Sequence, residues 1–474
     1  MSVSTPTPPG RSRGTGSGSG GAIVHRTRRT AELMLLILAL AIGVGAYAIV
    51  GLAREGSIPA DIVVYGGGLT ALAVAAHVVR RFFAPYADPV LLPIAVALNG
   101  IGLAMIQRID MSLEASDSPF GPFGPSQLLW SAVGVALFCA VLVVIRDHRR
   151  LQTLTYTWGL VGLGLLILPL LPGIGVNING SRIWISMLGF SFQPGEIAKV
   201  CLVVFFAGYL VVNRDALALA GKRFLGIDFP RGRDLGPILV AWAASLGILV
   251  FQRDLGSSLL FFGIFVVLLY VSTERPGWLF LGGGMFLGGA YAGYYLFGHV
   301  RNRVEGWLDP FGDIDTYAQI VQAQYGLAWG SLLGRGLGEG SPTLVSYAWS
   351  DFIATALGEE LGLTGLMAII LLYAFIVERG LRTALICRDA FGKLLAVGLA
   401  VSLALQVFVV IGGVTRLIPL TGLTTPFLSA GGSSLVANWA IIALLLRISD
   451  HARRPPPEVW APEPDDATQV VKLR

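Results

Sequence analysis

Three groups of ionisable residues stand inside or at the edges of long apolar runs. In SYAWSDFIATALGEELGLTG (346–365), Asp351 opens an apolar helix, and Glu359 and Glu360 lie within it. In FQPGEIAKV (192–200), Glu196 and Lys199 are three apart, so they share a helix face and can pair. In QRDLGSS (252–258), Asp254 precedes a further apolar run. An ionised side chain next to or within a bilayer is costly, and such groups are retained mostly for function. A carboxylate there can serve as a general base, cap a helix, or join an ion pair. Asp254 and Asp351 both suit an N-cap, which keeps a carboxylate ionised and is compatible with a base role. Glu196 and Lys199 read either as a structural ion pair or as a polar floor beneath a head group. Glu359 lies eight residues beyond Asp351, roughly 12 Å along a helix, so those two are not a tight pair. Glu359 and Glu360 read as groups bonded within the helix bundle.

The elements that must position these groups are membrane spans. The chain has 474 residues, of which 54% are hydrophobic and 13% charged, and its mean hydropathy is +0.71. The charged share is about half that of a soluble domain. A net charge of +5 gives no sign of a nucleic-acid partner. Cys139, Cys201 and Cys387 sit in or beside apolar stretches without paired spacing and read as packing residues, suggesting neither a disulfide framework nor a metal site. A spanning helix needs about 20 apolar residues. About twelve such runs begin near 32, 60, 88, 126, 153, 194, 234, 256, 277, 352, 394 and 431. This predicts an all-α polytopic membrane protein. Residues 1–30 and 451–474 are polar, Pro-rich and read as disordered tails.

Basic residues fix an expected orientation. Arg80 and Arg81, RDHRR, KRFLGIDFPRGR, Arg275, ERGLRTALICRDAFGK, and Arg453 with Arg454 fall on alternate loops. The positive-inside rule then places both termini in the cytoplasm, with long loops 107–125, 171–193 and 299–351 outside. Arg182, Arg253, Arg303, Arg335 and Arg416 form an outer positive rim suited to a phosphate or pyrophosphate head group.

Five separated motifs carry a resemblance. NGSRIWISMLGFSFQPGEIAKV, QRDLGSS, GWLDPFGD with AQIVQAQYGLAWGSLLGRGLG, SDFIATALGEELG, and PLTGLTTPFLSAGGSSLVAN occur in that order. Over about residues 88–450 the chain resembles the SEDS family (shape, elongation, division and sporulation), whose members include RodA, FtsW and SpoVE. It is most similar to the elongation type found in actinobacteria. The departures are Gly195, Arg253, Gly330-Ser331, Val410, Arg416 and Ala430, where the family commonly has Ser, Pro, GG, Asn, Gly and Tyr.

The resemblance implies a core of ten spans (83–450) preceded by two added helices (31–82). It implies a peptidoglycan glycosyltransferase that polymerises lipid II at the outer membrane face, inverting the anomeric carbon and releasing undecaprenyl pyrophosphate. Asp351 becomes the expected general base. Arg182, Trp184, Gln193, Glu196, Lys199, Asp254, Gln319, Gln322, Arg335, Ser429 and Ser433 become expected substrate-binding positions. No metal ligands or certain cofactor follow, although a divalent cation could assist. The implied partner is a class B penicillin-binding protein, a transpeptidase. A lipid II flippase, a non-catalytic transpeptidase scaffold and a division-type role are the alternatives.

Overall fold

A computed structural model describes residues 27, 29–178, 180–187, 190–214, 222–224, 227–229 and 232–455. Of the polar tails expected at 1–30 and 451–474, residues 1–26, 28 and 456–474 lie outside the described residues, as does part of the basic stretch 222–233.

The helices are α1 (Arg29–Glu55), α2 (Ile62–Phe83), α3 (Leu91–Ala115), α4 (Gly124–Val144), the single turn α5 (Arg150–Thr153), α6 (Thr155–Ile167), α7 (Pro194–Val212) and α8 (Gly232–Phe251). They continue as α9 (Leu255–Thr273), α10 (Gly277–Leu296), α11 (Gly298–Leu308), α12 (Ala318–Gly330), α13 (Ile353–Ile386), α14 (Ala390–Val414) and α15 (Gly432–Arg453). Among the described residues nine helices are long and apolar enough to cross a membrane, with Thr155–Leu170 and Ile238–Phe251 as shorter apolar helices. Helix α10 accounts for the run near 277, so each of the twelve expected runs is helical. Helix α15 extends to Arg453, past the expected start of the C-terminal tail.

Two small antiparallel sheets were not expected. The first is β1 (Gly175–Ile178), β2 (Ser181–Met187) and β3 (Phe190–Phe192) in that spatial order, and it fills the 171–193 loop. The second is a hairpin of β4 (Lys222–Phe224) and β5 (Ile227–Phe229).

Helices α15 and α3 form the centre: 94% and 89% of their apolar windows are buried, against 28% for α1. These two are the least apolar of the nine, because a helix shielded from lipid can carry polar groups such as Arg108 and Arg447 that find partners inside the bundle. Helix α1 packs along α3 where Gly43 and Gly100 meet; a Cβ on Gly43 would lie 2.9 Å from Gly100 Cα. Buried Glu32 of α1 pairs with His77 and Arg80 of α2. The first two helices are thus bonded to each other and packed on the bundle.

Helix α13 is broken at Gly362, where φ is 70° and ψ −175°. The break frees backbone groups that must find partners away from water. Segment 331–336 supplies them. Arg335 N donates to Glu359 O at 3.1 Å and Gly336 N to Glu360 O at 2.9 Å. In return Leu363 N donates to Ser331 O and Thr364 N to Leu332 O. A Cβ at Gly362 would stand 2.2 Å from Gly334 N, so only glycine fits. Gly362→Ala is therefore expected to lower thermal stability in detergent. The strained backbone alone costs about 1–3 kcal/mol. Gly289→Ala on α10 meets nothing within 4 Å and serves as the near-neutral control.

Candidate functional site

The site is organised by residues 415–431, a non-helical segment between α14 and α15. Irregular backbone among membrane helices survives only where protein groups satisfy it. Arg303 Nη1 donates to Leu420 O at 2.9 Å and Gln406 Nε2 to Thr424 O at 3.0 Å. Tyr373 Oη donates to Pro426 O, and Gln127 Nε2 to Ser429 O at 3.1 Å. Trp307 Nε1 donates to Arg416 O at 2.9 Å, while Arg416 Nη2 returns a bond to Trp307 O at 2.9 Å. Thus α4, α11, α13 and α14 all hold this segment.

The segment in turn holds the chain just before Asp351. Ser429 Oγ donates to Ser350 O at 2.6 Å, and Ala430 N to Trp349 O at 2.8 Å. Trp349 stacks on Phe123 at 4.8 Å. Asp351 was expected to cap its helix. Helix α13 instead begins at Ile353, and its capping residue is Phe352, which makes no side-chain cap. The cause is the turn at 347–352, where Ser350 N and Phe352 N both bond back to Tyr347 O and leave Asp351 one residue ahead of the cap.

Half-buried Arg303 lies in the field of two carboxylates, Asp254 and Asp351. Burial pushes the Asp351 carboxyl up to about 6, while its own backbone amide and Arg303 pull it down. Burial also raises Asp254, opposed by the Ser257 hydrogen bonds and Arg303. Asp254 does cap its helix: Ser257 N donates to its Oδ1 at 2.9 Å. A carboxylate near 6 is ionised at neutral pH yet basic enough to accept a proton in a transition state.

Beneath this group runs a buried polar chain. Lys199 Nζ donates to Glu196 Oε2 at 2.8 Å and to Gln406 Oε1 at 2.7 Å. Through Gln406 it reaches Thr424 O. Lys199 is therefore a brace of the 415–431 segment, with its charge spent on Glu196. Gln193 is tied through its backbone N to Ser433 Oγ at 3.2 Å. Glu359 and Glu360 bond within the bundle: Ser341 N donates to Glu359 Oε1, and Gly338 N and Arg108 Nε to Glu360.

The remaining expected residues are spread around this centre. Arg182 is exposed on β2, and half-buried Trp184 pairs with Val176 in the sheet. Gln319 on α12 donates to Ser346 O at 2.9 Å, five residues before Asp351. Gln322 is half-buried on α12. Arg335 is exposed and lies 4.6 Å over the Trp329 ring, near the Gly362 break. Sequence reading passed over Gln406 and Gln324, whose Nε2 bonds Val414 O, and did not single out Arg303 from the other outer arginines. A glutamine inside an otherwise apolar run was the available signal for Gln406. Among the described residues the metal-like groupings, Asp147–His148–His451 and His148–Cys387–Asp389, contain none of these residues.

Because Asp351 holds its proton more tightly in the fold than the usual 3.8, the folded state binds more protons than the unfolded chain between about pH 4 and 6. The stability of the protonated form is present at low pH and is lost as pH rises through about 6. Asp351→Asn is expected to melt higher than wild type at pH 8 and to converge with it near pH 4. A melting-temperature difference independent of pH would contradict the burial argument.

A sequence profile of the FtsW/RodA/SpoVE family of cell cycle proteins matches residues 89–454. The chain is 49% identical over 412 residues to the peptidoglycan glycosyltransferase RodA of Mycobacterium tuberculosis, covering 86% of this chain and 88% of that protein. A subunit of a peptidoglycan synthase complex that coordinates polymerization and crosslinking superposes with a TM-score of 0.59 at 27% identity, over 77% of this chain and 98% of that one. The rod shape determining protein RodA of Thermus thermophilus superposes with a TM-score of 0.52 at 24% identity, over 78% and 98%, and shares the fold. With the profile spanning most of its length, this chain belongs to the FtsW/RodA/SpoVE family of membrane proteins.

Proposed function

We propose that this protein is a peptidoglycan glycosyltransferase that polymerises lipid II into glycan strands for cell elongation. Asp351 takes the proton of the acceptor 4-hydroxyl. The freed oxygen attacks the anomeric carbon of the donor, that carbon inverts, and undecaprenyl pyrophosphate leaves. The observation that carries this reading is a carboxyl raised to about 6 beside Arg303, in a turn fixed by the 415–431 segment. Arg303, together with exposed Arg182 and Arg335, supplies positive charge for the leaving pyrophosphate. Lys199, bonded to Glu196 and Gln406, contributes by position instead.

Alternation of basic loops supports an outward-facing Asp351 with both termini cytoplasmic. Residues 83–450 form the catalytic core in this reading, with α1 and α2 an added pair docked on it. Its similarity to a subunit of a peptidoglycan synthase complex supports a class B penicillin-binding protein as partner.

The test is purified protein, with and without such a partner, given labelled lipid II. Wild type is expected to yield glycan strands, and folded Asp351→Ala none. Equal product from both would remove Asp351 from the chemistry. No product from either with the partner present would favour a flippase or scaffold. The pH profile adds a second check. Activity should climb with an acid limb near pH 6, and Arg303→Met should move that limb upward, because Arg303 lowers the Asp351 pKa. An unmoved limb would separate Arg303 from the base.

A further inference from the structure

At the other end of α13 from Asp351, two loops and the last turn of α15 bring together side chains that the glycosyltransferase reading does not use. His148 follows α4, Cys387 and Asp389 form the α13–α14 turn, and His451 ends α15. The His148 ring is fully buried. Its Nε2 lies 3.0 Å from Asp389 Oδ2, and Cys387 Sγ lies 3.3 Å from Asp389 Oδ1. Gly392 faces all three. A Cβ there would stand 2.5 Å from His148 Nε2, 2.8 Å from Cys387 Sγ and 2.9 Å from Asp389 Oδ2. Three donor atoms from two separate loops thus lie within 4.8 Å of one another and pack so closely on Gly392 that a side chain there would collide with them.

The outer side of the same ring carries a second observation. His148 Nδ1 is buried without a hydrogen-bond partner, and the Asp147 carboxylate stands 3.8 Å away. The His451 ring meets the His148 ring edge-on, 5.1 Å between centroids. A carboxylate behind a histidine is the arrangement that orients a metal-bound imidazole. A nitrogen, a sulfur and an oxygen donor suit Zn²⁺ or a like transition ion, while a hard ion such as Mg²⁺ prefers oxygen alone.

We propose that His148 Nε2, Cys387 Sγ and the Asp389 carboxylate form a zinc-class metal site that clamps the α4 loop to the α13–α14 turn. Asp147 and His451 act as its outer supports. Binding displaces two protons from ligand atoms: the S–H bond is broken and its proton passes to solvent, the Nε2–H proton that bonds Asp389 is given up as Nδ1 takes one on the Asp147 side, and thiolate and carboxylate offset the metal's two charges. Affinity falls as pH falls, because proton and metal compete for the same sulfur. Arg149, 3.6 Å from Asp389 Oδ1 and half exposed, can swing into solvent as the metal enters.

The test uses the full chain in detergent, prepared without a polyhistidine tag, stripped of metal and titrated with Co²⁺ and then Zn²⁺. The expected result is about one equivalent bound, with a thiolate-to-cobalt charge-transfer band and tetrahedral ligand-field bands that Zn²⁺ abolishes. Cys387→Ser should lose the charge-transfer band, and Asp147→Asn should weaken binding on the order of 10–100-fold. Polymerisation of lipid II by each variant checks that it is folded. Absence of the band in wild type overturns the site, as does its persistence in Cys387→Ser. Wild-type affinity in Asp147→Asn removes Asp147 from its supports.

Discussion

A polypeptide among membrane helices cannot leave a carbonyl or amide unpaired, because no water is at hand to replace a lost partner. Residues 415–431 break that regularity, and much of the site follows from how the break is satisfied. Gln406, Gln127, Arg303 and Tyr373 all point donors at its carbonyls. Four different helices are thereby tied to one segment. The segment then fixes Ser350 and Trp349 through Ser429 and Ala430, and so fixes the approach to Asp351. Polar side chains that look like substrate contacts in one dimension are in part the scaffold that makes a rigid mouth possible.

The acidic residues divide their labour by what surrounds them. Glu359 and Glu360 accept backbone amides of the loop that seals the Gly362 break, and Glu360 also binds buried Arg108. Asp254 caps a helix. Glu196 is paired with Lys199. Asp351 is the acid whose turn keeps it off the helix amides, and burial leaves it poised near 6. Burial raises Asp254 as well, but its carboxylate is engaged by the Ser257 amide, whereas Asp351 caps no helix. Leaving one acid in a less favourable setting costs stability and gains reactivity.

Arg416 shows how such a scaffold absorbs strain. Its φ is 60°, a left-handed conformation that glycine adopts freely. The guanidinium offsets that strain by bonding Trp307 O and Leu308 O and by lying over Phe311. The Arg416 side chain thereby locks α11 to the 415–431 segment.

Apolar run length and the spacing of basic loops determined the helical elements, because burial of apolar surface and backbone satisfaction in lipid are local demands that composition alone can meet. The Glu196–Lys199 pair and the Asp254 cap were legible for the same reason: their partners are three residues away. The missed Asp351 cap, the small sheet at 175–192, the bracing role of Gln406 and the convergence of His148 with Cys387 and Asp389 were not legible. The Asp351 turn and the sheet are local but lie in loops without helical periodicity, whereas the Gln406 brace and the His148 cluster join groups far apart in sequence, and periodicity carries no information about either. Tertiary packing decided which polar residues became braces and which acid was left to act as a base, since desolvation and partner geometry exist only once the helices are assembled.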